Sequence, residues 1–438
     1  MRSTMSHNGE MKAPPPGAEM YTRAGRSTYL RINLDFLYNN ISILKQQCSP
    51  HTADVIAVVK ANAYGHGSVE ISRYLESRGV GHFAVATPEE GAQLRQAGIK
   101  GHIQILGNAV EEDIPTLVNN RLTPTVAELN FLQEWSRAIT ADPVSSNNAG
   151  NDTISSNKVT DSHALQARVR KRHQLVLKID TGMSRNGCQT QDFPSLIQFC
   201  QTQGLTVHSV MTHFSQAWDN PHFTKQQLNT FTTLVEPLRT SGVKVHVANS
   251  AAIIRGFGTQ LDFIRPGICM YGLPPDASTE TAELVESLGL RPVLSWCARP
   301  TLIKQLPQGR VVGYDNTYMT RGTETIATFS LGYADGYNRL MSDRGVVSLD
   351  EDDVRCPVVG RVSMDAITVR LDQPRPSPTT FNIITDDFTS PNSVTKMAAI
   401  LGTIPYEVTT SLAARLPRVF MSGGHIVAVT KSLMTDER

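Results

Sequence analysis

The sequence predicts an α/β protein, a (β/α)8 TIM-like barrel followed by a mostly antiparallel β-domain. Short β-branched runs alternate with amphipathic runs as far as Gly272, and eight strands can be counted in that part of the chain. Beyond Gly272 the pattern changes to alternating runs separated by Gly and Pro turns. Strand–helix alternation indicates a parallel sheet, and eight such strands indicate a closed barrel.

The eight predicted strands are short and rich in β-branched residues. Each but the last precedes a helical run; SVEISRYLESRG follows the first strand, for example. In chain order they are DVIAVVK (54–60), GHFAVAT (81–87), HIQILG (102–107), LTPTV (122–126), QLVLKID (174–180), LTVHSVMTHF (205–214), KVHVANS (244–250) and LDFIRPGI (261–268).

The second half of the chain has the sequence pattern of an antiparallel sheet. From Pro292 to about Val369 it contains VLSWCARPTLIKQL, ETIATFSLGYADG and RCPVVGRVSMDAITVRL, whose alternation is typical of half-buried strands. SVTKMAAILG and PYEVTTSLAARL are predicted helices. We therefore expect a barrel domain over 27–275 and a β-domain over 276–433.

Two polar stretches are expected to be disordered. Residues 1–26 contain a Pro-rich tail, and residues 141–171 are dominated by Ser, Asn, Asp and Thr, with few large apolar groups. The second stretch joins a helix to the next strand, so it emerges at the end of the barrel away from the active face. We expect it to be dispensable for catalysis.

Composition and charge narrow the class of protein. Of 438 residues, 41 are Lys or Arg and 40 are Asp or Glu, so the net charge of +1 argues against nucleic acid or an anionic membrane as partner. No run is apolar enough to cross a membrane, and the first residues lack a signal peptide's apolar core. The six cysteines are scattered, without CxxC or metal-like spacing. These features predict a cytoplasmic protein without a metal site.

Chemistry in such a barrel lies at the carboxyl ends of the strands. A strand-end lysine, Lys60, is followed by ANAYGHG, whose glycines let the backbone approach a ligand closely. A desolvated lysine is suited to Schiff-base formation. The other residues at strand ends are Asp180, Arg185, His213, Asn249, Ser250, Arg265 and Gly267.

Several segments resemble the signatures of the alanine racemase family. They are AVVKANAYGHG, LKIDTGMSRNG, MTHF, ANSAA, IRPGICMYG, VGYDNTY, GYADGY and GRVSMD, and the match is collinear from about Leu30 to Val419. The resemblance implies a homodimeric enzyme that uses pyridoxal 5'-phosphate (PLP) to convert L-alanine to D-alanine. It also implies a role in supplying D-alanine for cell-wall peptidoglycan.

The resemblance also implies roles for the strand-end residues. Lys60 would hold PLP and serve one face of Cα, and Tyr314 of the partner subunit would serve the other face. Arg265 would face the pyridine nitrogen and leave it unprotonated, because arginine only donates. Asn249 is equally a helix cap. The remaining residues placed at the cofactor are Tyr64, Arg185, His213, Asn249, Ser250 and the backbone of Gly267 and Ile268.

Substrate recognition is assigned in the same way. Arg185 would contact the PLP phenolic oxygen and the substrate carboxylate. Lys178 is either carbamylated, as in many members, or one half of an ordinary Lys–Asp pair. The residues of the carboxylate segment and the entry corridor, each of which could instead be structural, are Met364, Asp365, Tyr333, Arg339 and Arg361.

One departure from the family pattern bears on specificity. Ala414 stands where the family usually has a tyrosine near the PLP phosphate. The alternative within the family is therefore a serine or broad-specificity racemase. Related PLP-dependent decarboxylases usually offer an acid to the pyridine nitrogen, where Arg265 stands here. Non-catalytic PLP carriers are single barrels with no use for Tyr314.

Overall fold

The computed structural model describes residues 18–48, 53–141, 172–349, 354–375 and 379–431. Two compact units share them: Tyr38–Met270, and the residues before Tyr38 together with those from Tyr271 onward. The predicted insert at 141–171 lies outside the described residues except for Ala141, and so do residues 1–17 of the predicted tail. No described helix is both long and apolar enough to span a membrane.

The described chain begins with a helix where the sequence predicted disorder. Helix α1 (Ala18–Ala24) precedes strand β1 (Thr28–Asn33). Ala24 and the half-buried Met20 pack against Tyr29, Cys297 and Val419. The prediction of a tail to residue 26 is therefore wrong from Ala18 onward, because the apolar side of this short helix is buried by residues distant in the sequence.

The first unit is a closed barrel of eight parallel strands, as predicted. Strands β5 and β6 are buried at every position, as in a barrel whose interior is packed with side chains. The strands are β2 (Asp54–Val58), β3 (His82–Val85), β4 (His102–Asn108), β5 (Thr123–Val126), β6 (Leu175–Lys178), β7 (Val207–Met211), β8 (Lys244–His246) and β9 (Phe263–Ile264).

Helices follow the barrel strands, and several have N-terminal caps. Thr87 Oγ1 accepts the amide of Glu90, and Asn220 Oδ1 accepts the amide of Phe223. The helices are α2 (Leu34–Gln46), which crosses the boundary between the units, α3 (Lys60–Tyr64), α4 (Ser68–Ser77), α5 (Pro88–Gln96), α6 (Ile114–Asn119), α7 (Leu129–Ala141), α8 (Phe193–Gln203), α9 (Pro221–Arg239) and α10 (Ser250–Arg255).

The second unit is mostly antiparallel, as predicted. Besides α1, its described α-helices are α11 (Thr279–Ser287), α12 (Val394–Leu401) and α13 (Pro405–Thr410). Its further strands are β10 (Leu294–Ala298), β11 (Pro300–Leu306), β12 (Val311–Val312), β13 (Tyr318–Met319), β14 (Glu324–Phe329), β15 (Val346–Leu349), β16 (Arg355–Pro357), β17 (Ile367–Leu371), β18 (Phe381–Ile384), β19 (Arg418–Ser422) and β20 (His425–Thr430).

Strand β1 lies in this second unit and not in the barrel. The largest sheet has the order β16-β15-β18-β10-β1-β19-β20, in which β1 is antiparallel to β10 and parallel to β19. Trp296 Nε1 donates to Thr28 Oγ1 across the β1–β10 pair at 2.6 Å. The barrel unit therefore starts at Tyr38, not at 27, and the chain returns to the second unit at Tyr271, a few residues before the expected 276.

Candidate active site

The predicted lysine lies in an unusual turn at the carboxyl end of a barrel strand. Lys60 opens helix α3 directly after β2, and Ala61 to Tyr64 all have positive φ, between 50° and 54°. A left-handed turn of non-glycine residues costs roughly 1–2 kcal/mol per residue. Strain of this kind persists where surrounding contacts impose it, and such places are often functional.

A glutamate that the sequence analysis did not single out holds this turn. Glu90 accepts the amide of Ala61 at 2.6 Å and the amide of Ala86 at 2.7 Å, one with each carboxylate oxygen. It thereby ties the end of β2 to the end of β3. A signal was present, because Thr87 and Glu90 have capping-box spacing at the start of α5.

The environment of Lys60 destabilises the charged form of its amine. Burial, followed by the charge of Arg185, lowers the pKa of Lys60, while Glu90 opposes the shift. A lowered pKa increases the share of the neutral amine, which is the form that attacks carbonyl carbon or accepts a proton. The burial of Lys60 is compatible with the predicted Schiff base, and its catalytic role stays a prediction.

Three of the predicted phosphate-site residues lie together. Ser250 Oγ accepts the amide of Gly267 at 2.9 Å, and Tyr64 is buried beside them. A Cβ added at Gly267 would lie 2.6 Å from Tyr64 Oη, so any larger residue would displace the phenol. Burial raises the pKa of Tyr64, which keeps its hydroxyl a hydrogen-bond donor. Ile268, also predicted here, begins a short 3-10 helix.

Asn249 acts as a helix cap in this structure, one of the two roles left open for it. Its Oδ1 accepts the amide of Ala252 at 3.0 Å, at the start of α10. The cap satisfies an amide at the helix start and fixes the residue that follows, Ser250.

Arg265 is buried and is held only by neutral groups among the described residues. Its Nη2 donates to the carbonyl oxygens of Thr212 and Val247 at 2.9 Å and lies 3.2 Å from His213 Nδ1. Its Nη1 lies 2.6 Å from His246 Nδ1. Burial lowers the pKa of this guanidinium to about 9. The geometry fixes a cation that has no carboxylate partner of its own.

The two histidines beside Arg265 are held in one protonation state. Because arginine only donates, Nδ1 of His213 and of His246 must accept. Burial and then Arg265 lower the pKa of both rings well below the ordinary value. The proton of each neutral ring therefore lies on Nε2, which His246 directs to Ser209 Oγ at 3.1 Å.

Lys178 and Asp180 do not form the ordinary pair that was one of two interpretations. No ion pair joins them in the described part of the chain; Asp180 Oδ1 instead accepts the amides of Gly182, Met183 and Ser184. That turn carries the exposed Arg185. Burial, then the charges of Arg265 and Arg185, lower the pKa of Lys178 to about 8.

A buried glutamine, also missed in the sequence, fixes the loop that bears His213. Gln227 Nε2 donates to the carbonyl oxygen of His213 at 3.3 Å and to Thr181 Oγ1 at 3.4 Å. Its Oε1 accepts the amide of Ser215 at 3.1 Å. No sequence pattern could have identified it, because only the packing of α9 brings it to the loop.

Residues of the second unit expected near the substrate are largely on its surface. Tyr314 is 69% exposed, beside Asp315, whose φ is +57°. Asp315 forms ion pairs with Arg361 at 3.3 Å and Arg339 at 3.8 Å. The two predicted corridor arginines therefore share one carboxylate next to the tyrosine.

The predicted carboxylate-binding segment is anchored to the GYADGY motif. The amides of Tyr333 and Ala334 donate to the carbonyl oxygens of Ser363 and Met364 at 3.1 and 3.0 Å. The Met364 and Tyr333 side chains remain exposed. This backbone pairing leaves both side chains available for a partner.

A buried aspartate fixes that segment through a shared arginine. Arg415 donates to both carboxylate oxygens of Asp335 and to Asp365 Oδ1 at 2.6 Å. Arg26 also binds both oxygens of Asp335. Ala414, next to Arg415, lies exposed in the turn after α13.

The barrel residues have the chemistry that PLP requires. The cradle of Tyr64, Ser250 and Gly267 offers hydroxyl donors and a site that a Cβ would fill, which suits a phosphate. Lys60 offers an amine for an aldehyde, and Arg265 offers a donor for a ring nitrogen. The donor set thus fits the phosphate, the aldehyde and the ring nitrogen of PLP.

Comparisons with known proteins agree with this chemistry. The family model for the alanine racemase N-terminal domain matches residues 32–275, and the model for the C-terminal domain matches 293–420. An alanine racemase of Carboxydothermus hydrogenoformans is 32% identical over 405 residues, covering 90% of this chain and 100% of the relative.

Solved structures show the same similarity. An alanine racemase of Clostridium difficile 630 matches with a TM-score of 0.78 and 29% identity, covering 93% of this chain and 99% of that chain. An alanine racemase from Bartonella henselae with covalently bound pyridoxal phosphate matches with a TM-score of 0.72 and 25% identity, covering 90% and 99%.

Proposed function

Because this chain belongs to the alanine racemase family, a family of isomerases, we propose that it interconverts L- and D-alanine with PLP held at the carboxyl end of its barrel. The observation that carries this proposal is the half-buried Lys60, whose pKa is lowered, on the same short turn as Tyr64, which lies with Ser250 and Gly267 in the cradle. The cofactor reported for the Bartonella henselae relative supports the choice of PLP.

The reaction needs two acid–base groups on opposite faces of Cα. PLP, when bound, accepts the electron pair that proton removal leaves at Cα. Lys60 Nζ would move the proton on one face, and the hydroxyl of Tyr314 of the partner subunit would move it on the other. The exposure of Tyr314 supports this role, because its hydroxyl is available to a second copy of the chain.

Arg265 would determine where the proton returns. Its guanidinium donates hydrogen bonds and keeps its protons at neutral pH, so a pyridine nitrogen facing it would stay unprotonated. Negative charge would then remain near Cα, which would favour return of a proton there over side reactions. The contacts to Thr212, Val247 and the two imidazoles hold the guanidinium in place for this task.

The remaining predicted residues would bind the cofactor phosphate and the substrate carboxylate. Tyr64, Ser250 and the backbone at Gly267 and Ile268 would hold the phosphate, and His213 and Asn249 would complete the cofactor site. Arg185 would bind the substrate carboxylate, together with Met364 and Asp365 of the partner subunit and with Tyr333 at the entrance. We infer a homodimer in the cytoplasm that supplies D-alanine for cell-wall peptidoglycan.

A direct test is hydrogen exchange at Cα in D2O. Purified protein with PLP is incubated with L-alanine and, separately, with L-serine; NMR follows exchange, and chiral chromatography follows the D-isomer. We expect exchange with D-alanine as the main product. Absence of exchange with either amino acid, despite bound PLP, would refute the proposal.

Variants connect the activity to this site. Lys60→Ala should abolish exchange, whereas Lys225→Ala, which removes an exposed lysine on α9, should leave it unchanged. Tyr314→Phe should strongly reduce racemisation while PLP remains bound. A non-catalytic PLP carrier would lose nothing on the Tyr314 change, so that variant separates the two classes.

A serine or broad-specificity racemase is the second candidate. It is favoured by Ala414, where the family usually has a tyrosine; the alanine is exposed in its turn. D-serine formed at a rate comparable to D-alanine in the same experiment would support this candidate.

A further inference from the structure

Three histidines meet at the end of the barrel opposite Lys60. His82 and His102 begin the neighbouring strands β3 and β4 and are register partners. His208 is the second residue of β7, on the other side of the barrel. The His102 and His208 rings stack with centroids 4.0 Å apart, and His82 lies 5.4 and 5.7 Å from them.

The ring nitrogens of this cluster are close enough to share one ion. One nitrogen from each ring can be chosen so that all three lie within 4.8 Å of one another. Tetrahedral zinc with Zn–N bonds of about 2.0–2.1 Å needs nitrogens about 3.4 Å apart. Because the His102 and His208 rings stack nearly parallel, at least one of them must rotate to direct its lone pair at the ion, and the nitrogens must also approach by up to about 1.5 Å.

Two nitrogens of the cluster are buried without a hydrogen-bond partner among the described residues. They are Nδ1 of His82 and Nδ1 of His102. A buried polar atom is nearly always satisfied in a native protein, so each unsatisfied one indicates a missing partner. Two such atoms on rings that also contact a third imidazole indicate a ligand that binds imidazole nitrogen.

In two of the three rings the other nitrogen is hydrogen-bonded to an outer group, as is usual for metal-bound histidine. His102 Nε2 lies 2.8 Å from Thr123 Oγ1, and His208 Nδ1 lies 3.3 Å from Ser209 Oγ. His82 Nε2 lies 4.0 Å from Asp54 Oδ2. His102 and His208 therefore each have one hydrogen-bonded nitrogen and one nitrogen left for coordination, and in His82 the unpartnered Nδ1 is available.

The cluster lies beside an open cavity. The cavity, of about 770 Å³, reaches His82 and His208 and is also lined by Asp54, Asp262 and Lys244. Lys244 forms an ion pair with Asp262 at 3.1 Å, so Asp54 is the lining carboxylate that Lys244 does not pair with.

We propose that His82, His102 and His208 form a binding site for a divalent transition ion, with Zn²⁺ as the preferred occupant. Three imidazoles suit zinc, copper or nickel, whereas magnesium and calcium prefer oxygen ligands. The ion would join β3, β4 and β7 at the end of the barrel that serves stability and not chemistry. The sequence could not show it, because the ligands come from three separate strands and not from a short spacing.

The test uses the full-length PLP-loaded protein, treated with a chelator and desalted. Zinc chloride titrated in a calorimeter should bind at one ion per chain, and magnesium chloride should not bind. Loading should raise the melting temperature by about 3 °C or more. Absence of zinc binding at micromolar protein concentration would overturn the proposal.

Variants identify the ligands. His82→Gln and His208→Gln should each weaken zinc binding at least tenfold and remove the thermal shift. His222→Gln, which removes an exposed histidine on α9, should change neither quantity. Equal zinc affinity in His208→Gln and the unaltered protein would contradict the assignment.

A measurement on the unaltered protein covers the case in which the variants do not fold. Zinc-edge X-ray absorption of the loaded protein should show three imidazole ligands; a shell of oxygen or sulfur alone would refute the site. Racemisation should be equal with and without zinc. The activity assay and the zinc assay can therefore fail independently of each other.

Discussion

Two buried charged residues of this chain have opposite kinds of surroundings. Arg265, in the barrel, is surrounded by carbonyl oxygens and imidazoles, and burial lowers its pKa to about 9. Asp335, in the second unit, is fully buried between the guanidinium groups of Arg26 and Arg415. Burial opposes its charged form, yet those two arginines lower its pKa below the ordinary value.

From this difference we infer that the charge of Arg265 serves the reaction and that the charge of Asp335 serves the fold. A buried ion with well-placed opposite charges is costly to break, because removing one partner leaves the others uncompensated. A buried ion held by neutral groups contributes little to folding and retains its field for a ligand. We therefore expect loss of Arg265 to affect activity, and loss of Asp335 to affect stability.

The largest effect is expected for Arg265→Gln. It should lower kcat for alanine racemisation about 10²–10³-fold, because a preorganised donor to the cofactor ring is lost. The cost in free energy of unfolding should stay within about 1–3 kcal/mol, since some carbonyl acceptors lose their donor. Steady-state kinetics and urea unfolding measure the two quantities. Arg239→Gln, at an exposed helix end, is the matched control.

Asp335→Asn, in contrast, should mainly lower the stability of the protein. We expect the free energy of unfolding to fall by about 2–4 kcal/mol, discounted for the partial exposure of both arginines. Asp372→Asn, which breaks the exposed pair with Arg375, should cost less than about 1 kcal/mol. If Arg265→Gln proves more destabilising than Asp335→Asn, the proposed contrast is wrong.

The lowered pKa of Asp335 also predicts how the stability of the protein changes at acid pH. Its pKa is lowered on folding, so its stabilisation is complete above the unfolded value of about 3.9 and is lost as the pH falls toward the folded value. Asp335→Asn should therefore lose less stability than the unaltered protein below about pH 4. Urea unfolding at pH 3 and pH 6 measures the difference.

The sequence predicted the barrel more completely than the second unit. All eight barrel strands could be predicted because each is a β-branched run and all but the last are followed by a helical run, and strand-end residues then converge by topology. Residues 28–33 were included in the barrel domain because TYLRIN has the same alternation whichever sheet it joins. Glu90 carried a local signal in its capping-box spacing, whereas Gln227 and the contacts of Arg265 depend on packing between distant segments, which no local pattern reports.

Lys178 should have a smaller effect on stability, which appears at alkaline pH. Its folded pKa of about 8 lies below the ordinary 10.5, so the unfolded chain binds more protons between these values and stability rises with pH there. Lys178→Met should remove up to about 2–3 kcal/mol of that rise. Urea unfolding at pH 7.5 and pH 10, in CO2-free buffer to keep the amine unmodified, measures it. Lys225→Met should change nothing.

Gly267→Ala should weaken cofactor binding without altering the chemical step. The new Cβ would lie 2.6 Å from Tyr64 Oη and would displace the phenol from the cradle. We expect PLP affinity to fall about tenfold, or about 1.4 kcal/mol. Fluorescence titration of PLP measures this. Gly322→Ala, where an added Cβ contacts no other atom, is the control. An unchanged PLP affinity in Gly267→Ala would show that the phosphate does not bind in this cradle.

The smallest effect concerns substrate choice and rests on Ala414. A phenol restored by Ala414→Tyr would reduce the volume near the substrate side chain, so the ratio of kcat/KM for alanine over serine should rise. A group of methylene size discriminates by about 1–3 kcal/mol, and the exposure of this turn argues for the lower end, a few-fold change. Ala413→Ser, one residue earlier, is a suitable control. If the ratio is the same in Ala414→Tyr and the unaltered protein, substrate breadth is set elsewhere, and the residues of the carboxylate segment, Met364 and Asp365, become the next positions to vary.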